Sequence, residues 1–170
     1  MAASPSDGQS AITIRAATVP DVPRMAAIIN GFAAQGIMLP RSFYQFYQHI
    51  QQFVVAEADG QVVGCGALSV VWSDLCEIRS VAVDANWQHR GVGRLIVEGL
   101  LERATSLGLP CVFTLTYRPE FFARFGFERV AHETLPQKIW GDCLNCPKYP
   151  DCDEVAMRRE LVEVKQYAEG

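Results

Sequence analysis

The sequence predicts an α/β fold: a mixed, mostly antiparallel central sheet with helices on both of its faces. Three observations predict it. Apolar strand-like runs are interleaved with segments of helical period along most of the 170 residues. Asp59-Gly60 separates two apolar runs, a strong hairpin signal. A glycine-containing loop, Gln88-His89-Arg90-Gly91-Val92-Gly93, lies between an apolar strand and an amphipathic helix.

Residues 1–11, MAASPSDGQSA, are small and polar and are expected to form a disordered tail. Residues 12–170 are expected to be a single domain, as the length implies. Ile12-Thr13-Ile14-Arg15 alternates as a first strand. Thr18 can cap the next helix, with Asp21 three residues on to favour its positive end. Val22, Met25, Ala26 and Ile29 share one face of that helix, and Gly31 and Gly36 end the region. The break Gly36-Ile37-Met38-Leu39-Pro40-Arg41 leads into an aromatic helix from Phe43 to Ile50. Phe53 to Ala56 and Val62 to Val71 are the strands joined at Asp59-Gly60, and Glu77 to Val83 is the next one. In the following helix Val92, Leu95, Ile96, Gly99 and Leu100 keep helical spacing, and Gly108 is a natural C-cap. Cys111 to Thr116 is a strand, Glu120 to Phe125 a short helix, Gly126-Phe127 the start of another strand, and Val155 to Leu161 the closing one.

Composition narrows the function classes. Apolar residues make up 49% and charged residues 20% of the chain, the balance of a soluble globular protein. A net charge of −4 supplies no basic field, which argues against nucleic acid or an anionic membrane as partner. No apolar run approaches membrane-spanning length and no secretory signal is visible. Of the six cysteines, Cys65, Cys76 and Cys111 sit in apolar segments and read as reduced core thiols. The expectation is a cytoplasmic protein.

The loop carries the chemistry. A helix N-terminus offers free backbone N–H groups and the positive end of the helix dipole, which together hold phosphate. The spacing Gln-x-x-Gly-x-Gly differs from the dinucleotide fingerprint and from the Walker loop. It resembles the pyrophosphate loop of the GNAT superfamily of N-acetyltransferases, written Arg/Gln-x-x-Gly-x-Gly/Ala. Phe121-Phe122-Ala123-Arg124-Phe125-Gly126-Phe127 resembles that superfamily's Phe-Tyr-x-x-x-Gly-Phe segment on the coenzyme-facing helix. The order of elements is similar to the GNAT fold over nearly the whole chain after residue 11.

The resemblance implies acetyl-CoA as co-substrate. It places the loop Gln88, His89, Arg90, Gly91, Val92, Gly93 and Arg94 at the pyrophosphate, which the amides from His89 to Arg94 hold; the Arg90 and Arg94 side chains either add charge there or are solvated surface arginines. It sets the backbone of Val81, Ala82 and Val83 along the pantetheine arm, as though the arm were an added strand. One of those N–H groups can support a developing oxyanion. Many members place a tyrosine general acid where this chain has Phe122. Either the thiolate leaves without that acid or another donor serves, and Tyr117, at the end of the preceding strand, is the nearest candidate by sequence. A packing role for Tyr117 competes with that reading.

In Cys76-Glu77-Ile78-Arg79-Ser80-Val81-Ala82-Val83, alternation puts Glu77 and Arg79 on one side. Two charges on a central strand are costly without partners. Either they pair with each other or a neighbour, or they act on a substrate. In the second case Arg79 clamps a carboxylate through its planar fork, and Glu77 accepts the amine proton directly or through water.

The resemblance narrows on Gly36–Arg41, Glu77–Ser80, the Leu115-Thr116 strand end with Phe121-Phe122, and Leu135–Trp140. With Asp142–Pro147 and Cys152-Asp153-Glu154 these are similar to the short, single-domain N-acetylglutamate synthases. That implies an amino acid with two carboxylates, L-glutamate, so Arg79, Ser80, Lys138 and Arg41 are the expected substrate-binding residues.

Cys143-x-x-Cys146, followed by Cys152, is left over. A structural zinc needs four ligands, and this group supplies three. Free thiols in a proline-braced loop, or a disulfide formed on oxidation, compete with a zinc site. The expectation is no metal cofactor, and a cluster distant from the bond-making step. The function expected from the resemblance is that of an acetyl-CoA-dependent L-glutamate α-N-acetyltransferase working by direct transfer. The alternatives are the same chemistry on another small amine or a protein N-terminus, and a non-catalytic coenzyme-A- or metal-binding regulator. A homodimer is compatible with the sequence.

Overall fold

Asp59 and Gly60 take φ of 52° and 74°, the left-handed pair that a two-residue hairpin turn requires. They join β2 (Phe53–Ala58) to β3 (Gln61–Trp72). A second hairpin leads to β4 (Leu75–Val83). The computed structural model describes residues 10–135 and 152–161. Its remaining strands are β1 (Thr13–Ala16), β5 (Cys111–Thr116), β6 (Glu128–Arg129) and β7 (Val155–Glu160). Among the described residues these form a seven-stranded sheet in the order β1-β2-β3-β4-β5-β7-β6. Every pairing is antiparallel except that of β4 with β5.

Helices cover both faces, as expected. α1 (Val22–Ala33) and α2 (Phe43–Gln48) lie on one face, where Val22, Met25, Ile29 and Phe46 pack with Phe53, Val55 and Cys65. α3 (Val92–Ser106) lies on the other, where Ile96, Val97 and Leu100 pack with Val54, Ala56 and Ile78. The alternation within β2 therefore feeds two cores, one per face. Ile96 and Leu100 are fully buried, each stabilising the fold by about 2 kcal/mol. Gly66 lets α3 approach this closely: a Cβ there would stand 2.7 Å from Ile96 Cγ2. α3 ends in a Schellman turn, with Leu109 N–H donating to Ala104 O and Gly108 N–H to Thr105 O.

Several boundaries differ from expectation. The turn after Thr18 is 3₁₀ over Val19–Asp21, and the α-helix begins at Val22. Pro20 and Pro23 lack N–H groups in this stretch, which limits the regular hydrogen-bond ladder there. Gly31 lies inside α1; the helix stops at Ala33, and Gly36, at φ 73°, completes the turn out of it. The aromatic helix ends at Gln48, and Ile50–Gln52 is a separate 3₁₀ turn. The short helix α4 (Pro119–Ala123) follows β5.

One irregularity shapes the sheet. Cys65 pairs with Ala82 and Ala67 with Arg79, so β4 carries one extra residue there. Ser80 sits within it at φ 57°. Before this bulge Cys76 and Ile78 face the α3 core; after it Val81 and Val83 do, and Ala82 joins the α1 core. β4 and β5 pair only at Cys76–Val112 and Glu77–Phe113, and then separate. Thr114 Oγ1 donates to Ile78 O at 2.9 Å at the point where they part.

Candidate active site

The gap between β4 and β5 opens into a cavity of about 910 Å³. β4 from Glu77 to Val83 forms one wall and β5 with Tyr117 the other. The loop before α3 and the α4 aromatics Phe121 and Phe122 close one part, and Met38, Leu39 and Arg41 of the α1–α2 connection another.

The loop is built for an anion. His89 and Gly91 have φ of 62° and 79°, and Gly91 is the N-cap of α3. The first α-helical bond runs from Leu95 N–H to Gly91 O, at 3.2 Å. The N–H groups of Val92, Gly93 and Arg94 thus have no acceptor within the helix, and all three residues line the cavity. Gly93 leaves room for the neighbouring ring, since a Cβ there would stand 3.4 Å from Phe121 Cζ. Gln88 and His89 line the cavity too. Arg94 lies 3.6 Å from Glu98, one helical turn on. Arg90 is not among the lining residues: its guanidinium lies over the Trp87 ring, 4.8 Å from the centroid.

The adjoining stretch of β4 presents its main chain. Asp84 N–H donates to Val63 O at 2.8 Å, so that side of the backbone faces β3. Strand alternation then turns the peptide groups of Ala82 toward β3 and those of Val81 and Val83 toward the gap. Gln88 Nε2 reaches Val83 O at 3.4 Å. Open strand edge beside a helix N-terminus fits a phosphorylated ligand with an amide-bearing arm.

On the other side of the bulge β4 presents side chains. Glu77 and Arg79 both line the cavity, as the alternation predicts. Arg79 Nη2 donates to Gln52 Oε1 at 3.3 Å. Arg41 Nε donates to Ser80 Oγ at 3.0 Å, which brings the two arginines from separate elements to the same wall. Arg118 and Arg124 line the cavity as well, giving it a cationic bias. The sequence reading missed Asn30 and Gln52, the amides that contact Arg41 and Arg79. Asn30 sits in the last turn of α1 and Gln52 ends the 3₁₀ turn Ile50–Gln52, where nothing in the local pattern sets either apart.

Tyr117 lines the cavity, and its hydroxyl donates to Asp153 Oδ1 at 2.7 Å. Phe122 lines the cavity while packing edge-on against Phe121 and Phe127 in the α3 core, so it has both a core and a wall position. Burial pushes the Cys65 and Cys76 thiols up to about 12 and raises that of Cys111, so all three are protonated at neutral pH. Cys152 lines the cavity. Cys143, Cys146 and Lys138 lie outside the described residues. Among the described residues no three His, Cys, Asp or Glu side chains are placed to share a metal ion. Nor is any helix there long and apolar enough to cross a membrane.

Residues 49–129 match the model of the acetyltransferase (GNAT) domain. Over 148 residues the chain is 43% identical to an uncharacterized N-acetyltransferase of Chlorobaculum tepidum, spanning 87% of this chain and 96% of that protein. It is 45% identical over 132 residues to an amino-acid acetyltransferase of Mycobacterium tuberculosis, spanning 76% and 75%. The solved structure of N-acetylglutamate synthase from Neisseria gonorrhoeae, complexed with coenzyme A and N-acetyl-glutamate, is similar with a TM-score of 0.82 at 29% identity. That likeness covers 91% of this chain and 36% of the synthase. The chain belongs to the GNAT acetyltransferase family. It is an acetyl-CoA-dependent N-acetyltransferase.

Proposed function

We propose that the enzyme is an N-acetylglutamate synthase, transferring acetyl from acetyl-CoA to the α-amine of L-glutamate, the first step of arginine biosynthesis. The observation that carries this reading is the convergence of Arg41 and Arg79 on one cavity wall, beside the open edge of β4. Two guanidiniums suit an amino acid with two carboxylates. The similarity to an amino-acid acetyltransferase and to an N-acetylglutamate synthase supports the same substrate class.

Acetyl-CoA supplies the activated acyl group. The N–H groups of Val92, Gly93 and Arg94 hold its pyrophosphate, and the Val81 and Val83 peptides pair with its arm. One of those N–H groups bears on the thioester carbonyl and stabilises charge that develops on its oxygen. Arg41 and Arg79 orient the glutamate so that its amine faces that carbonyl. Glu77, on the same wall, takes the amine proton directly or through a water. Tyr117, its hydroxyl turned from Asp153 toward the thioester sulfur, gives a proton to the departing thiolate. Direct attack is the proposed route: burial keeps Cys65, Cys76 and Cys111 protonated and so removes them as acyl acceptors, and the route requires Cys152, the thiol on the cavity wall, to be dispensable.

Thiol release from acetyl-CoA with a panel of L-amino acids tests the reading. Glutamate is expected to show the highest kcat/KM. Higher turnover of aspartate, glutamine or an unrelated amine, or no turnover of any amino acid, overturns it.

A further inference from the structure

Asn30 spends its side-chain amide on the main chain of one distant residue. Its Nδ2 donates to Arg41 O at 3.0 Å, and its Oδ1 accepts from Arg41 N–H at 3.0 Å. A paired contact of this kind fixes both the amide orientation and the position of the Arg41 backbone. The chain between them leaves α1 at Ala33, turns at Gly36 and runs along the cavity through Ile37, Met38 and Leu39. Ile37 and Leu39 are 48% and 42% exposed, so burial alone holds this connection weakly. Its far end is pinned instead. Asn30 fixes the Arg41 backbone, and Ser80 at the β4 bulge accepts from the guanidinium Nε at 3.0 Å.

We propose that Asn30 is a positioning residue for substrate selection. It holds Arg41 at the height over β4 where the guanidinium meets a substrate carboxylate, and does so without touching the substrate. The inference rests on the reading of Arg41 as a carboxylate partner. It predicts an effect confined to the amino-acid side of the reaction, because the loop and the Val81–Val83 edge are held by other contacts.

Steady-state kinetics on Asn30→Ala, Arg41→Met and the double variant test it, with glutamate and acetyl-CoA varied separately. Asn30→Ala is expected to raise the glutamate KM roughly tenfold, with kcat and the acetyl-CoA KM changed less than about threefold. The double variant should be no worse than Arg41→Met alone, since one residue acts through the other. Additive losses, an equal rise in the acetyl-CoA KM, or wild-type glutamate kinetics in Asn30→Ala overturn the inference. Should Asn30→Ala fail to fold, the same cycle is run with Asn30→Asp, which keeps the acceptor and loses the donor. Arg41→Met separates the two claims. If it leaves the glutamate KM unchanged, the carboxylate reading of Arg41 fails and the role of Asn30 with it. If it raises that KM while the Asn30 variants do not, only the role of Asn30 fails.

Discussion

The Tyr117 hydroxyl donates to Asp153 Oδ1 at 2.7 Å, tying the end of β5 to the residues just ahead of β7. The phenol is held at the cavity rim by a carboxylate that fixes its direction. Tyr117→Phe removes the proton and keeps the ring. If Tyr117 protonates the departing sulfur, kcat should fall on the order of 100-fold with little change in either KM. Asp153→Asn should cost less, because it loosens the phenol and leaves its proton. An unchanged kcat in Tyr117→Phe means that the thiolate leaves unassisted.

Arg79→Leu should lose on the order of 3 kcal/mol in kcat/KM for glutamate, the scale of a truncated charge pair in a desolvated site. Coenzyme A binding measured by calorimetry should be nearly unchanged. Retained glutamate kinetics would move the carboxylate contact elsewhere, with Lys138 the next residue to replace.

The two loop glycines should fail for different reasons. Gly91 has open space around it but a φ of 79°, so Gly91→Ala should strain the backbone by about 1 kcal/mol and lower Tm. Gly93→Val instead drives a side chain toward the Phe121 ring. It should raise the acetyl-CoA KM sharply while changing Tm less than Gly91→Ala does. Unaltered coenzyme affinity in a folded Gly93→Val would remove the loop from the binding site.

Stability should fall in acid through one carboxylate in particular. Arg15 donates to both oxygens of Asp21, at 2.8 and 2.9 Å, and holds its carboxyl down at about 2 from an ordinary value of 3.8. A depressed folded-state value stabilises the protein above the unfolded value, and that gain is lost as pH falls through the folded one. The contribution is about 2 kcal/mol, present above pH 4 and lost between pH 4 and 2. Urea melts of Asp21→Asn should show this loss at pH 7 and a flatter profile across that window. A variant that tracks wild type at both ends would assign the acid sensitivity to another group.

Much of the fold was legible because its signals are local. Asp59-Gly60 announces a hairpin, Gly108 a helix end, and the apolar run Phe53–Ala56 a strand, which the structure buries on both faces. Alternation also placed Glu77 and Arg79 on the cavity wall, and the Gln88–Gly93 spacing placed the helix N-terminus beside it. The bulge at Ser80 was not legible. A serine at positive φ within a strand segment carries no local mark, and the extra residue appears only once β3 is laid against β4. The stacking of the Arg90 guanidinium on Trp87 was not legible either, since a place in the motif says nothing of the ring that the side chain covers. Asn30 and Gln52 act across 11 and 27 residues, beyond the reach of any local pattern.

The bulge has a consequence for how specificity can drift. On one side of Ser80 the strand presents the Glu77 and Arg79 side chains to the cavity, the proposed acceptor contacts; on the other it offers peptide groups, while the Val81 and Val83 side chains turn away into the α3 core. Substitutions in the first half can retune the acceptor amine without disturbing the donor. Substitutions in the second half leave the main-chain pattern intact, provided they still pack. Under the proposed mechanism a single inserted residue makes one strand modular, with a variable grip for the acceptor and a sequence-blind rail for the donor.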